Sequence, residues 1–220
     1  MAKKIFLSPS NQTKNTYAYG NTNEAVQCGK IAAACEAALK RCGFEVKNEQ
    51  YDTMQNRVAH SNAWGADLHV PIHTNAFNGK VSGTRIICAN LKGEGYKASK
   101  AVFDVLAPLT PGTSENISAS NLYEIKYSNA PCVYIEADFH DVPDVAKWII
   151  ENTEAIGEAI CKGMCNYFGV KYVLYEDKPA EDVIYRVQIG AFRNKDYATA
   201  YLQKAKDAGF DDAFIVKCEV

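Results

Sequence analysis

The sequence lacks any apolar run long enough to cross a bilayer, and its charge leans to neither sign. Lys and Arg number 24 against 26 Asp and Glu, a formal net charge of −2. Without a basic block, general nucleic-acid binding is excluded, because its affinity comes from neutralising phosphates. The first residues, Met1-Ala2-Lys3-Lys4-Ile5-Phe6-Leu7-Ser8-Pro9, hold an apolar run of only three. That predicts no signal peptide, synthesis in the cytoplasm and no membrane insertion. No C-x-x-C pair occurs, which removes zinc ribbons and thioredoxin-type redox motifs. Internal repeats and low-complexity tracts are absent. Histidine is scarce: His60, His69, His73 and His140 are all there are.

What is present describes a folded α/β protein. Hydrophobic residues make up 47% and charged residues 23% of the 220, ample for a core. Eight cysteines are the surplus. Cys28, Cys35 and Cys42 recur every seven residues along one helix face, about 10 Å apart at ~1.5 Å per residue and too far to bridge. We read most of the eight as small buried hydrophobes of a reduced chain.

Strands are predicted at Ile5 to Leu7, Phe44 to Val46, Leu68 to His73, Gly83 to Ala89, Leu122 to Lys126 and Cys132 to Phe139. Helices are predicted at Glu24 to Cys42, Asp52 to Trp64, Gly95 to Leu106 and Asp141 to Phe168. The alternation implies a mixed, largely parallel sheet flanked by helices on both faces. Residues 1–172 form this large domain and 173–183 a polar, Pro-containing linker. Residues 184–220 read as a small β-α-β module: a strand (Ile184 to Ile189), a helix (Lys195 to Ala208) and a strand (Ala213 to Val216). Such a module is too short to hold a core alone and must pack against something.

Four polar residues fall at element ends. Glu24 opens the first long helix, and Asn21 with Glu24 also fits a capping box. Glu136 interrupts an apolar strand, where a carboxylate is costly unless it is paired or functional. His73 ends its strand just before Thr74-Asn75, at the edge where open α/β sheets collect ligands. His140 follows Glu136 by four residues. His69 is mid-strand and suits a hydrogen-bonded core histidine; His60 suits an exposed bystander. Histidines and carboxylates together are the ligand types of a zinc site that keeps an open position.

From Ile5 to about Gly169 the chain resembles the zinc-dependent N-acetylmuramoyl-L-alanine amidases of the family-3 type, which cut peptidoglycan. The matching pieces are Ser8-Pro9-Ser10-Asn11, Glu24, Arg57 to Asn62, Gly65-Ala66-Asp67-Leu68 and Pro71-Ile72-His73-Thr74-Asn75-Ala76. Leu122-Tyr123 and Pro131-Cys132-Val133-Tyr134-Ile135-Glu136 complete them. The resemblance implies Zn2+ held by Glu24 and His73, with Glu136 as the catalytic carboxylate. Asn11 stands where the family carries its first histidine ligand. We expect His140, in the loop after Glu136, to supply the missing imidazole as third ligand; the alternatives are that Asn11 coordinates through its amide oxygen or that the site is degenerate. Asn75 and Arg57 are candidates for orienting substrate. The activity implied is hydrolysis between N-acetylmuramic acid and L-alanine; the alternative is a non-catalytic peptidoglycan-binding protein. Release to the wall as a phage or prophage endolysin, or at host lysis, fits a chain without a signal peptide. The tail from Tyr185 to Phe210 resembles half of a sporulation-related (SPOR) peptidoglycan-binding repeat, which two chains could complete as a homodimer.

Overall fold

A computed structural model describes residues 2–174 and 188–217. The chain divides into two compact units, Met1–Tyr175 and Glu176–Val220. The first is built on a six-stranded sheet ordered β2-β1-β3-β6-β4-β5. Its strands are β1 (Lys4–Pro9), β2 (Glu45–Asn48), β3 (Leu68–Asn75), β4 (Arg85–Cys88), β5 (Asn116–Ala119) and β6 (Tyr134–Phe139). All neighbours pair in parallel except β4 and β6. The expected mixed, largely parallel sheet with flanking helices is therefore present.

The helices of this unit are α1 (Glu24–Arg41), α2 (Met54–Trp64), α3 (Gly93–Leu106), α4 (Tyr123–Tyr127), α5 (Pro143–Glu151) and α6 (Thr153–Phe168). Helix α1 starts at Asn23, whose side chain accepts from the Val26 N–H at 3.1 Å. Lys40 and Arg41 lie in its last turn, where positive charge complements the helix dipole. Helix α2 starts at Thr53 and stops at Gly65, whose left-handed backbone (φ 69°) a side chain would resist.

Strand alternation divides the sheet's two faces. Ile5, Leu7, Leu68, Val70, Ile72 and Ile135 join the core with α1, α3 and α6. The intervening Phe6 and His69 stack on the opposite face, where His69 Nε2 lies 3.2 Å from Glu124 Oε1 of α4. The Ser8 hydroxyl also donates to that carboxylate. Burial opposes charge on Glu124, but bonds from His69 and Ser8 outweigh it and hold its pKa below the usual range. His69 is thus the hydrogen-bonded core histidine expected of it, and exposed His60 pairs with Glu49 at the surface.

Three local expectations change. Leu122 to Lys126 forms α4 rather than a strand, and the strand beside β4 is Asn116–Ala119. The helical region after Pro143 breaks at Asn152 into α5 and α6. In the second unit, the helix is α7 (Lys195–Asp207), capped by Asn194. Residues 213–217 are not a strand, and no strand pairs with them among the described residues. Most of the strand expected at Ile184 to Ile189 lies outside the described residues.

Seven cysteines are buried and free among the described residues. The thiols of Cys42, Cys161 and Cys165 gather within 4.8 Å where the end of α1 meets α6. Burial pushes the Cys165 thiol up to about 12 and Cys161 higher, so both are neutral, compact packing groups at pH 7. This cluster lies about 27 Å along α1 from Glu24, at ~1.5 Å per residue.

Helix α6 approaches its neighbours closely at two glycines. A Cβ on Gly163 would stand 2.4 Å from Val102 Cα, and one on Gly157 would stand 2.7 Å from the Cys35 backbone nitrogen. Backbone cannot yield as a flexible side chain does, so Gly163→Ala is expected to cost about 2–3 kcal/mol. Thermal unfolding should then fall by roughly 4–12 °C. An unchanged Tm would show that α3 and α6 are not in this close register.

Candidate functional site

The C-terminal ends of β1, β3 and β6 share one sheet edge, because the three strands run parallel. His73 on β3 and Glu136 on β6 are direct register partners, and Arg85 on β4 faces Glu136 from the other side. Three chemically active side chains therefore cross adjacent strands in one row. Glu24 reaches this row from the first turn of α1. Its Oε1 lies 2.8 Å from His73 Nδ1, with both side chains almost fully buried.

The loop between β1 and α1 brings Glu24 there, and side chains fix that loop. The Ser10 N–H extends the pairing by donating to the Ile72 carbonyl at 2.9 Å. Gln50 Nε2 donates to the Ser10 carbonyl at 2.7 Å and the Ala25 carbonyl at 2.6 Å, tying the end of β1 to the start of α1. Asn15 Nδ2 donates to Glu24 Oε2 at 2.6 Å. The carboxylate is thus spent on His73 and Asn15, and the cap of α1 is Asn23; the capping-box reading of Asn21 with Glu24 does not apply. The His73 ring is stacked on Tyr134 with centroids 4.7 Å apart.

Electrostatics separate the two carboxylates. Burial opposes charge on Glu24, but bonds from His73 and Asn15 lower its pKa below the ordinary value. Burial raises Glu136 to about 7, with the Glu24 charge adding to the rise and His73 and Arg85 opposing it. One carboxylate is held ionised while its neighbour sits near neutrality, the arrangement that separates a ligand from a proton carrier. His73 Nε2 and Glu136 Oε2 are both buried without a hydrogen-bond partner.

Among the described residues no hydrogen bond joins His140 to this pair, although the Glu24 charge reaches its ring. Two steps of β3 (His73 to Asn75) face three steps of β6 (Glu136 to Phe139), an irregularity of the β-bulge kind. Strand β6 ends at Phe139, so His140 already lies beyond the paired residues. His140 Nδ1 instead lies 2.9 Å from the Thr74 hydroxyl, and its ring stacks on Tyr17 at 4.9 Å and 3°. Tyr17 in turn meets the same Thr74 hydroxyl at 2.9 Å. Asn11 is exposed and turned away too, its Nδ2 donating to the Asp52 carbonyl at 3.2 Å.

The two substrate candidates are likewise occupied. Arg57 is buried and donates to the Pro9 carbonyl at 2.6 Å, so it braces the end of β1. The Asn75 side chain accepts from the Ala76 N–H at 2.8 Å. Asn75 does line a cavity of about 170 Å³ beside the site, with Phe77, Val81, Arg85 and Phe139. Sequence reasoning missed Gln12, Asn15 and Arg85; only the polar loop Asn11 to Asn23 hinted that the first two lay somewhere functional.

The donor set suits a divalent cation of borderline softness. An ionised carboxylate oxygen and an imidazole nitrogen meet at one point, and an orphaned buried carboxylate oxygen faces the same strand row. Among the described residues, no third His, Cys, Asp or Glu completes a tight cluster with Glu24 and His73.

Comparison with known proteins identifies the family and the fold. A sporulation-specific N-acetylmuramoyl-L-alanine amidase of Bacillus subtilis (strain 168) is 24% identical over 221 residues, covering 97% of this chain and 85% of that one. The solved catalytic domain of CwlV, an N-acetylmuramoyl-L-alanine amidase from Bacillus (Paenibacillus) polymyxa var. colistinus, superposes with a TM-score of 0.66. It is 18% identical and covers 76% of this chain and 99% of that one. An N-acetylmuramoyl-L-alanine amidase from Clostridium difficile 630 gives 0.65 at 20% identity, over 76% of this chain and 97% of that one. Residues 181–217 match the SPOR domain. Residues 5–166 match the family described as N-acetylmuramoyl-L-alanine amidase, about three quarters of the chain, and the chain belongs to that family.

Proposed function

We propose that this chain hydrolyses the amide between the lactyl group of N-acetylmuramic acid and L-alanine, with zinc held by Glu24 and His73 and the proton carried by Glu136. The observation that supports it most is the 2.8 Å meeting of Glu24 Oε1 and His73 Nδ1 beside Glu136. When bound there, zinc supplies Lewis acidity toward a carbonyl oxygen and toward water. Glu24 and His73 hold their donors in place, fixed by Asn15 and by stacking on Tyr134. Glu136 takes a proton from the attacking water as its oxygen bonds to the lactyl carbonyl carbon. The same carboxyl then gives that proton to the departing α-amino nitrogen as the C–N bond breaks. A pKa near 7 suits a group that must first accept and then donate. His73 and, to a smaller extent, Arg85 oppose the effect of burial on Glu136, and Arg85 also borders the neighbouring cavity.

Digestion of purified peptidoglycan tests this reading. New α-amino groups on L-alanine should appear in step with clearing of the suspension, with no new reducing sugar ends. Reducing ends without free alanine would mean a glycosidase instead.

The tail belongs to the same proposal. Around α7, the large apolar side chains of Tyr197, Phe210, Phe214 and Val216 are exposed. Two tails completing one SPOR-like repeat would cover them. A dimeric mass by light scattering is expected for the full chain; a strict monomer at all concentrations would dispose of the dimer. Access to the wall through a phage or prophage lysis system, or at host lysis, completes this reading. No helix among the described residues is long and apolar enough to cross a membrane.

A further inference from the structure

We propose that Gln12, rather than Asn11 or His140, supplies the third protein donor to the ion that Glu24 and His73 would hold, through its side-chain amide oxygen. The inference rests on the zinc reading above and adds a residue that no part of that reading uses. Its starting observation is that the Gln12 amide nitrogen stands 3.4 Å from His73 Nδ1, the same ring atom that Glu24 Oε1 meets at 2.8 Å.

That ring nitrogen is oversubscribed. Carrying its hydrogen, it can donate to Glu24 but offers nothing to the Gln12 amide; without it, it can accept from Gln12 but repels the carboxylate. A cation among the three groups reconciles them, since it takes a lone pair from each. Turning the Gln12 amide by half a turn exchanges its oxygen and nitrogen within the same envelope. The exchange gives up one neutral hydrogen bond, from Asn15 Nδ2 to Gln12 Oε1 at 3.0 Å, a small loss beside a metal–oxygen bond. Asn15 keeps its bond to Glu24 Oε2.

The backbone explains why position 12 faces the site while position 11 does not. Pairing to β3 ends with the Ser10 N–H, and the Gln12 N–H then turns back to the Ser10 hydroxyl at 3.3 Å. That turn sends Asn11 outward to the Asp52 carbonyl and Gln12 inward to His73. Gln12 is itself exposed, so an ion seated there keeps access to solvent and substrate. An amide oxygen is neutral and harder than imidazole, so the site should bind zinc more weakly than one with a second histidine.

The test uses the metal-free full-length chain. Cobalt(II) is titrated and followed by its visible absorption, and zinc is titrated against a chromophoric chelator. Gln12→Leu is expected to weaken both ions about tenfold or more, and Gln12→His to tighten zinc about tenfold, the scale on which shell residues act. Asn11→Ala should bind as the parent chain does. His140→Ala, provided its circular dichroism shows it folded, should also keep parental affinity. Parental affinity in Gln12→Leu, or a larger loss in Asn11→Ala or folded His140→Ala, would overturn the assignment while leaving the zinc reading intact. A parent chain that takes up neither ion would overturn both.

Discussion

Replacing Glu136 by Gln should leave the fold and the metal content intact and lower kcat by about 10²-fold or more. The amide matches the carboxylate in shape, so packing between His73 and Arg85 survives. What it cannot do is accept a proton from water. Because Glu136 is needed as a base, activity should rise with pH through the range where it ionises, near 7. Burial raises that value most, His73 opposes it, and Arg85 opposes it to a smaller extent, so removing the guanidinium should move the acidic limb of the pH profile slightly upward. The loss in Glu136→Gln should fall on kcat with KM little changed, the signature of an interaction made in the transition state. Normal turnover by the folded variant would remove Glu136 from the chemistry.

His73→Ala should lose metal and activity together, because half of the protein's charged and imidazole donor pair disappears. The parent chain carries a second signature of the same contact. Burial disfavours the imidazolium, but the Glu24 hydrogen bond and the charges of Glu136 and Glu24 outweigh it and raise the His73 pKa above its ordinary value. In the metal-free chain His73 therefore keeps its proton to higher pH than a free imidazole does. Uptake of zinc must displace that proton, so affinity should increase with pH and about one proton should be released per ion. Calorimetry in buffers of different ionisation enthalpy measures the release directly. Uptake independent of pH, with parental metal content in His73→Ala, would contradict the ligand role.

Much of this was legible in the sequence, and the failures have physical causes. Strands buried on both faces, such as Leu68 to His73, announce themselves as apolar runs, and the Ala-rich α1 with its Gly43 stop does the same. Asn116–Ala119 does not, since one isoleucine among polar and small residues becomes a strand only by pairing with β4. Leu122 to Lys126 is apolar enough for a strand, yet folds as one short helix that seats Glu124 under His69. Glu24, His73 and Glu136 were singled out by their place at element ends and by family resemblance, and the fold does bring them together. His140 was singled out because it follows Glu136 closely and the family's first histidine is missing at Asn11; the chain instead sets its ring against Tyr17 and Thr74, which spacing alone does not reveal. Gln12 was invisible for a related reason: a turn after the last paired residue decides which of two adjacent amides looks inward. The binding-only alternative drew its weight from Asn11, a residue that the fold turns toward Asp52 rather than toward the site.

The most direct measurement is mass spectrometry of peptidoglycan digested by the zinc-loaded chain in ¹⁸O-labelled water, with the chelated chain as its control. The account predicts one labelled oxygen in the lactyl carboxylate of N-acetylmuramic acid and a free amine on L-alanine, both lost on chelation and restored by zinc. Label at a sugar carbon or within the stem peptide, or cleavage that persists undiminished in the chelated chain, would contradict it.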